Sequence, residues 1–298
     1  MAEARALEWA ARAVGAAVVD ARGMREGGSP WLVRFANEDS AILRLGDAGA
    51  AYVRQRFATE VAALQVAAEH SLVTSRLIAS DLDGTDAGAA AILSTVLLGI
   101  SRVPRDPSPE RLRALGAAAA ALSAVELEPR PGLPLLRHSM DTNEFDFSIG
   151  RRADELFAEA EDRLNGLPVP LGPTVFVHGD LWQGNALWVG DTCTGLIDWE
   201  YAGVGHPGID LGNLRCDAAM LNGPVEAELV LDGWEQAAGR PAEDVAYWDV
   251  VAALSTPVGL EKWLSPIHDQ GRTDLRAQAV TDRRNAFVRA ALDRLPEA

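Results

Sequence analysis

The side chains best suited to chemistry gather in one stretch, residues 177–200, VHGDLWQGNALWVGDTCTGLIDWE. His178, Asp180, Asn185 and Asp198 stand there in the pattern H-x-D-x4-N-x12-D, among residues that otherwise read as buried strand. Two carboxylates and an amide oxygen are hard oxygen donors. Such a set suits Mg2+, which takes one or two protein ligands and completes its shell with water and phosphate oxygens. A carboxylate in the same loop can also orient a hydroxyl and take its proton.

A hairpin is the element that must position them. Gly190-Asp191 is a turn signal between two short apolar runs, 186–189 and 194–197. Folding the chain there and pairing Val189 with Thr194 sets Leu187 against Leu196 and brings Asn185 opposite Asp198. Asp180 stands five residues before Asn185, in the loop that enters the hairpin. The apolar strands then hold the polar ends together.

The rest of the chain sets limits. It has 298 residues, 48% of them apolar, enough for two modest domains or one bilobal unit with a large core. The net charge of −16 argues against nucleic acid as a partner and favours a cationic ligand. There is one lysine, Lys262, and Trp263 follows it, so the G-K-[ST] of a P-loop is excluded. The first residues carry charges throughout and read as neither signal peptide nor anchor. No run reaches the roughly 18 apolar residues of a membrane span. Cys193 and Cys216 lack metal spacing and read as reduced thiols of a cytoplasmic protein.

Residues 5–19 predict a short amphipathic helix, WLVRF and SAILRL two strands, 59–70 a helix with Thr59 as its N-cap, and AAILSTVLL a strand closed by Gly99. Past the proline-rich SRVPRDPSP, helical patterns dominate at 110–124, 151–164, 225–238, 242–254 and 273–295. The pattern therefore predicts a smaller α+β part in front of Gly99 and a larger, mostly helical part behind it.

VHGDLWQGN resembles the kinase catalytic loop H-R-D-L-x-x-x-N, with Gly179 in place of arginine and a metal-binding aspartate further on. Together with LIDWE it resembles the aminoglycoside phosphotransferase family, within the protein-kinase-like fold shared with choline kinases and macrolide phosphotransferases. The resemblance implies an α+β, bilobal fold, with a nucleotide-binding N-lobe over 1–98 and a catalytic and acceptor-binding C-lobe over 99–298. It implies that Asp180 is the catalytic base, that Asn185 and Asp198 are Mg2+ ligands, and that His178 supports the loop. Asp210, in HPGIDLGNLR, would brace the loop from below, with simple helix N-capping as the alternative. Gly27, Gly28 and Ser29 correspond to the nucleotide-covering turn. Arg44 stands where kinases carry a phosphate-gripping lysine, with Glu60 as its ion-pair partner and Arg34 or Arg56 next in line for the role. Ser94, Val96 and Leu98 correspond to the hinge whose backbone reads adenine or guanine. Acidic candidates for the acceptor site are Glu200, Asp217, Glu261 and Asp269, each with a solvated surface charge as the alternative.

The implied activity is Mg2+-dependent transfer of the γ-phosphate of ATP or GTP to a hydroxyl of a small molecule, an aminoglycoside or a similar cation. The terminal RLPEA lacks the aromatic end that some aminoglycoside members use, so choline-like, sugar and macrolide acceptors stay open, and a role in antibiotic resistance with them. A nucleotide-binding protein of this fold without transferase activity is the alternative, favoured by Arg44 and the weak glycine turn. A metal hydrolase using His178 and Asp180 would need a second histidine at ligand spacing, and His206 sits in a GHPG turn.

Overall fold

Alternating apolar positions in the first third of the chain build a sheet with a helix on each face. The computed structural model describes residues 2–24, 29–142 and 146–297. They form two compact units: Met1–Leu98 with Arg130–Leu133 and Gly195–Glu200, and Gly99–Pro129 with Pro134–Thr194 and Tyr201–Ala298.

The first unit contains α1 (Ala2–Val14), β1 (Val18–Gly23), β2 (Trp31–Phe35), β3 (Ser40–Gly46), α2 (Ala51–Glu69), β4 (Leu77–Asp81) and β5 (Ala90–Thr95). The strands make one antiparallel sheet in the order β1-β2-β3-β5-β4. Successive side chains of a strand point to opposite faces. Leu43 and its partner Leu93 therefore join Val33 and Phe35 against Ala6, Trp9 and Ala10 of α1. One residue on, Arg44 and its partner Ile92 face the other way, where Ile92 packs with Phe57 of α2.

Two sequence readings are corrected here. The first helix ends at Val14, and β1 occupies part of the span assigned to it, with β-branched Val18 and Val19 entering the strand. Gly15, in the left-handed region at φ +74°, marks the break. Helix α2 begins at Ala51, eight residues earlier than read, and Thr59 is a buried position inside it and not a cap.

The second unit contains α3 (Pro109–Ser123), α4 (Glu155–Asn165), β6 (Val175–Val177), β7 (Ala186–Val189), β9 (Gly203–Gly205), α5 (Gly208–Leu221), α6 (Pro224–Ala238), α7 (Val245–Leu254), α8 (Leu264–Asp269) and α9 (Ala277–Leu292). Strand β8 (Thr192–Leu196) completes the hairpin with β7, and the chain passes into the first unit at Gly195. Strands β6 and β9 pair antiparallel. Helix α5 packs on α6, α7 and α9, and every one of its residues except Asn213 is buried. Both cysteines are free thiols, Cys216 buried and Cys193 half-buried. No helix among the described residues is long and apolar enough to cross a membrane.

Candidate active site

In the second unit, the fully buried strand β6 delivers the chain to His178, which has no exposure to solvent. The His178 Nδ1 accepts the Asp180 N–H at 3.4 Å. Asp210, in the first turn of α5, takes the His178 N–H on Oδ2 at 2.7 Å and the Gly179 N–H on Oδ1 at 3.0 Å. Burial pushes the Asp210 carboxyl up to about 7, and the two backbone donors oppose that rise.

Gly179 explains its own departure from the kinase pattern. Its φ is +77°, and a Cβ there would lie 2.0 Å from the Tyr201 carbonyl oxygen. No residue with a side chain fits that position without moving backbone. The Gly179 carbonyl accepts the Met140 N–H at 2.7 Å and the Ser139 hydroxyl at 2.8 Å, so both sides of this residue are tied down.

Helix α5 holds the loop further along. Asn213 Nδ2 donates to the Leu181 carbonyl at 2.9 Å. Asp217 Oδ2 accepts from the Gln183 backbone N–H at 3.3 Å and from its Nε2 at 3.2 Å. Asp210, Asn213 and Asp217 are spaced i, i+3, i+7, one stripe of a helix, and they meet residues 178–179, 181 and 183 in that order. Asp217 is buried and not a surface charge; burial pushes its carboxyl up to about 7, with Gln183 and Arg272 opposing.

A single 3-10 turn, Gln183–Asn185, ends at Asn185. The Asn185 Nδ2 donates to the Asp180 carbonyl at 2.9 Å and to its Oδ2 at 3.1 Å. Two acceptors on one side fix the amide's orientation, and Oδ1 is the atom Asn185 can offer elsewhere. Asp180 is half-buried. Beside Gly179, Met140, Phe147 and Tyr201 form an apolar cluster against which Trp263 packs, its ring edge-on to Phe147 at 6.0 Å.

The first unit holds a cluster of a different kind. Arg44 Nη1 donates to Glu60 Oε2 at 2.5 Å and to Asp198 Oδ1 at 3.0 Å, and Nη2 donates to Glu200 Oε2 at 2.8 Å. Arg56 reaches the other oxygen of Glu200 at 3.1 Å. The Arg44 guanidinium also lies 5.6 Å from the Phe57 ring centroid. Burial alone would lower the Arg44 pKa, but Glu60, Asp198 and Glu200 together outweigh it and hold it above the ordinary range. Burial pushes Glu60 up to about 7 against the pull of Arg44, and raises Glu200, with Asp198 adding to the rise. Asp198 has φ +67°, a left-handed conformation uncommon outside glycine.

Of the remaining sequence candidates, Gly27 and Gly28 lie outside the described residues. The Ser29 hydroxyl accepts the Leu45 N–H at 3.0 Å, next to Arg44 on β3. Ser94 sits in β5 opposite Ile42, and Val96 and Leu98 follow the strand as exposed residues. Arg34 is exposed and pairs with Asp20 at 3.0 Å. Glu261, in the 3-10 turn Glu261–Trp263, and Asp269, the last residue of α8, are exposed. Ser139, Met140, Gln183 and Asn213 were not anticipated. For Asn213 and Asp217 a signal existed: polar residues at i+3 and i+7 from Asp210 in a helix whose only other charged residue is Arg215.

The sequence profile of the phosphotransferase enzyme family matches residues 20–254. Among solved structures, the macrolide 2′-phosphotransferase MphH from Brachybacterium faecium is 20% identical with a TM-score of 0.61 over 98% of each chain. A thermostable variant of aminoglycoside phosphotransferase APH(4)-Ia, in a ternary complex with AMP-PNP and hygromycin B, is 16% identical with a TM-score of 0.62 over 95% of this chain and 98% of that one. The amicoumacin kinase hAmiN, in complex with AMP-PNP, Ca2+ and Ami, is 13% identical with a TM-score of 0.56 over 89% of this chain and 85% of that one. No curated protein sequence matches the chain. At these identities the structures establish the kinase-like α+β fold, and the profile, spanning the HGD loop and the IDW segment alike, establishes that the chain belongs to the phosphotransferase enzyme family.

Proposed function

We propose that this phosphotransferase moves the γ-phosphate of ATP or GTP, as its Mg2+ complex, to a hydroxyl of a small cationic or amphipathic molecule. The observation that carries the reading is the Asp180 loop. A half-buried carboxylate is held next to Asn185 by hydrogen bonds, on a backbone tied at Asp210 and Gly179. A carboxylate so placed orients an acceptor hydroxyl and takes its proton as the oxygen meets phosphorus.

The donor set suits a hard cation. Asn185 Oδ1 and the Asp198 carboxylate are oxygen ligands of the kind Mg2+ prefers. The positive φ of Asp198 supports its assignment, because backbone kept in a sparsely populated region marks functional positions more often than ordinary turns. Among the described residues no three His, Cys, Asp or Glu side chains gather to hold a metal by themselves. When bound, Mg2+ neutralises charge developing on the phosphate oxygens. Arg44 supplies fixed positive charge, with Glu60 as its partner, and the backbone of Ser94, Val96 and Leu98 reads the base. In this reading the first unit binds nucleotide, and the second carries catalysis and the acceptor.

Glu200 is committed to Arg44 and Arg56, and Asp217 to Gln183. Recognition of a cationic acceptor is therefore assigned to Glu261 and Asp269. Trp263, with Phe147 and Met140 behind it, offers an apolar wall on the same side of α8 as Glu261 in sequence.

The test is a panel of hydroxylated acceptors, with aminoglycosides, macrolides, sugars and choline-like alcohols, incubated with ATP or GTP and scored by mass for one added phosphate. The expected result is a phosphorylated product that requires Mg2+ and vanishes with chelator. Mg2+-dependent nucleotide binding with no product across the panel would favour the binding-only reading, and no nucleotide binding at all would overturn the proposal.

A further inference from the structure

Gln183 is buried with no exposure to solvent, and its Oε1 has no hydrogen-bond partner among the described residues. What holds it is Asp217, which accepts both its backbone N–H and its side-chain Nε2 on one oxygen; Nε2 also reaches Asn222 Oδ1 at 3.3 Å. Among the described residues, both hydrogen-bond donors to the Asp217 carboxylate belong to Gln183. Burying a carboxylate is costly unless hydrogen bonds offset it.

The turn that receives this anchor is three residues long, Gln183–Asn185. A 3-10 turn of that length has poor internal hydrogen-bond geometry and does not fix its own orientation. Its internal bonds are the Asn185 N–H to the Trp182 carbonyl at 3.0 Å and the Ala186 N–H to the Gln183 carbonyl. Fixing Gln183 at the first position therefore fixes Asn185 at the last, and Asn185 in turn bonds Asp180. The result is a continuous chain of hydrogen bonds, Asp217 to Gln183, then through the turn to Asn185 and Asp180.

We propose that Asp217 is a positioning residue for the metal ligand Asn185, acting through Gln183 and distinct from the brace that Asp210 gives to His178 and Gly179. The inference rests on the reading of Asn185 as a Mg2+ ligand. It assigns the two ends of one helix stripe to different tasks: Asp210 sets the base-carrying peptide, and Asp217 sets the metal-side turn.

Calorimetry with the non-hydrolysable nucleotide AMP-PNP, in the presence and absence of Mg2+, tests it on wild type, D217A, D217N and Q183A, with thermal melts alongside. Removing a group that orients a metal ligand costs about 10- to 100-fold in metal affinity. D217A and Q183A are expected to weaken the Mg2+-dependent part of nucleotide binding by about that factor and to leave metal-free binding unchanged. D217N recovers most of it, because one amide oxygen can accept both Gln183 bonds. The D217A/Q183A pair is expected to be no weaker than the worse single variant, since both break one connection. Q183A carries the test if D217A does not fold. Variants with a lowered melting temperature and wild-type Mg2+ dependence would overturn the inference and leave Asp217 a residue of the fold. A wild-type enzyme whose nucleotide binding ignores Mg2+ would overturn the ligand assignment of Asn185, and this inference with it.

Discussion

Glu60, Asp198 and Glu200 in the first unit converge on one guanidinium, while Asp210 and Asp217 in the second meet uncharged N–H groups of a single loop. Both clusters pair carboxylates that are wholly or partly shielded from water, and the means differ in what they fix. A guanidinium has five donors in a planar fork and can exchange one oxygen partner for another, a carboxylate for a phosphate included. Backbone N–H groups hold a carboxylate at defined positions and cannot move without moving the loop. The first arrangement suits a site that gains and loses a charged ligand. The second suits a residue that must stay where it is, as the proposed role of Asp180 requires.

The largest effect is expected from breaking the N–H-held cluster. Asp210→Ala removes the carboxylate that accepts the His178 and Gly179 N–H groups, at about 1–3 kcal/mol for each bond lost in the interior. Stability should fall by about 3 kcal/mol in denaturant melts, and phosphate transfer should be lost with the loop geometry. A variant that melts and turns over like wild type would show that the brace is dispensable.

A smaller effect is expected at Arg44. Arg44→Ala leaves Glu60, Asp198 and Glu200 facing one another. The cost in stability, about 2 kcal/mol, stays below that of a fully buried pair because Glu60 can take up a proton. Nucleotide KM should rise steeply, and Arg44→Lys should rescue only part of it, since an ammonium cannot span Glu60, Asp198 and Glu200 as the fork does. An unchanged KM in Arg44→Ala would move the phosphate-facing role to Arg56.

The smallest effect sharpens the comparison through pH. Glu60 is raised from 4.5 to about 7, and Asp210 and Asp217 from 3.8 to about 7, so the folded state binds protons more tightly than the unfolded chain. Stability from these groups is present in full below about pH 4 and is lost as pH rises toward 7. His206, whose pKa burial lowers, pulls the other way. The melting temperature should therefore drop between pH 5 and pH 8, and Glu60→Gln should flatten the slope by its share, on the order of 1 kcal/mol. A melting temperature that climbs over that range, or a Glu60→Gln slope equal to wild type, would contradict the assignment.

Much of the loop around Asp180 was legible because the proposed chemistry depends on residue types at fixed spacing. Residues 180 and 185 are brought together by a hydrogen bond that any reading of H-x-D-x4-N would look for. Strand β3 was legible from its apolar run and β5 in part, since the run read as strand to Leu98 leaves the sheet after Thr95. Strand β1, VVDARG, alternates imperfectly and exposes Arg22 and Gly23, so it merges with the end of the preceding helix. Helix α5 is buried nearly all round, so its apolar residues mark no single face, and its polar stripe of Asp210, Asn213 and Asp217 went unread. That burial also hid the setting of Asp217, in sequence an acceptor-site candidate with a solvated surface charge as the alternative. Its partner Gln183 is 34 residues away and adjacent only in the fold. The start of α2 was lost for the opposite reason, because Thr59 looks like a cap while Ala50, the true N-cap, makes no side-chain bond.

The central claim is that Asp180 carries the proton transfer without holding the nucleotide. Pre-steady-state phosphate transfer and AMP-PNP binding, measured side by side on wild type and Asp180→Asn, test it most directly. The amide is nearly isosteric and can keep its contact with Asn185 through its oxygen. The account predicts Mg2+-nucleotide affinity within a few-fold of wild type, an unchanged melting temperature, and kcat lower by about 10²-fold or more, the scale of losing a general base. Turnover close to wild type, or nucleotide affinity falling in step with rate, would contradict it and assign the proton to another group.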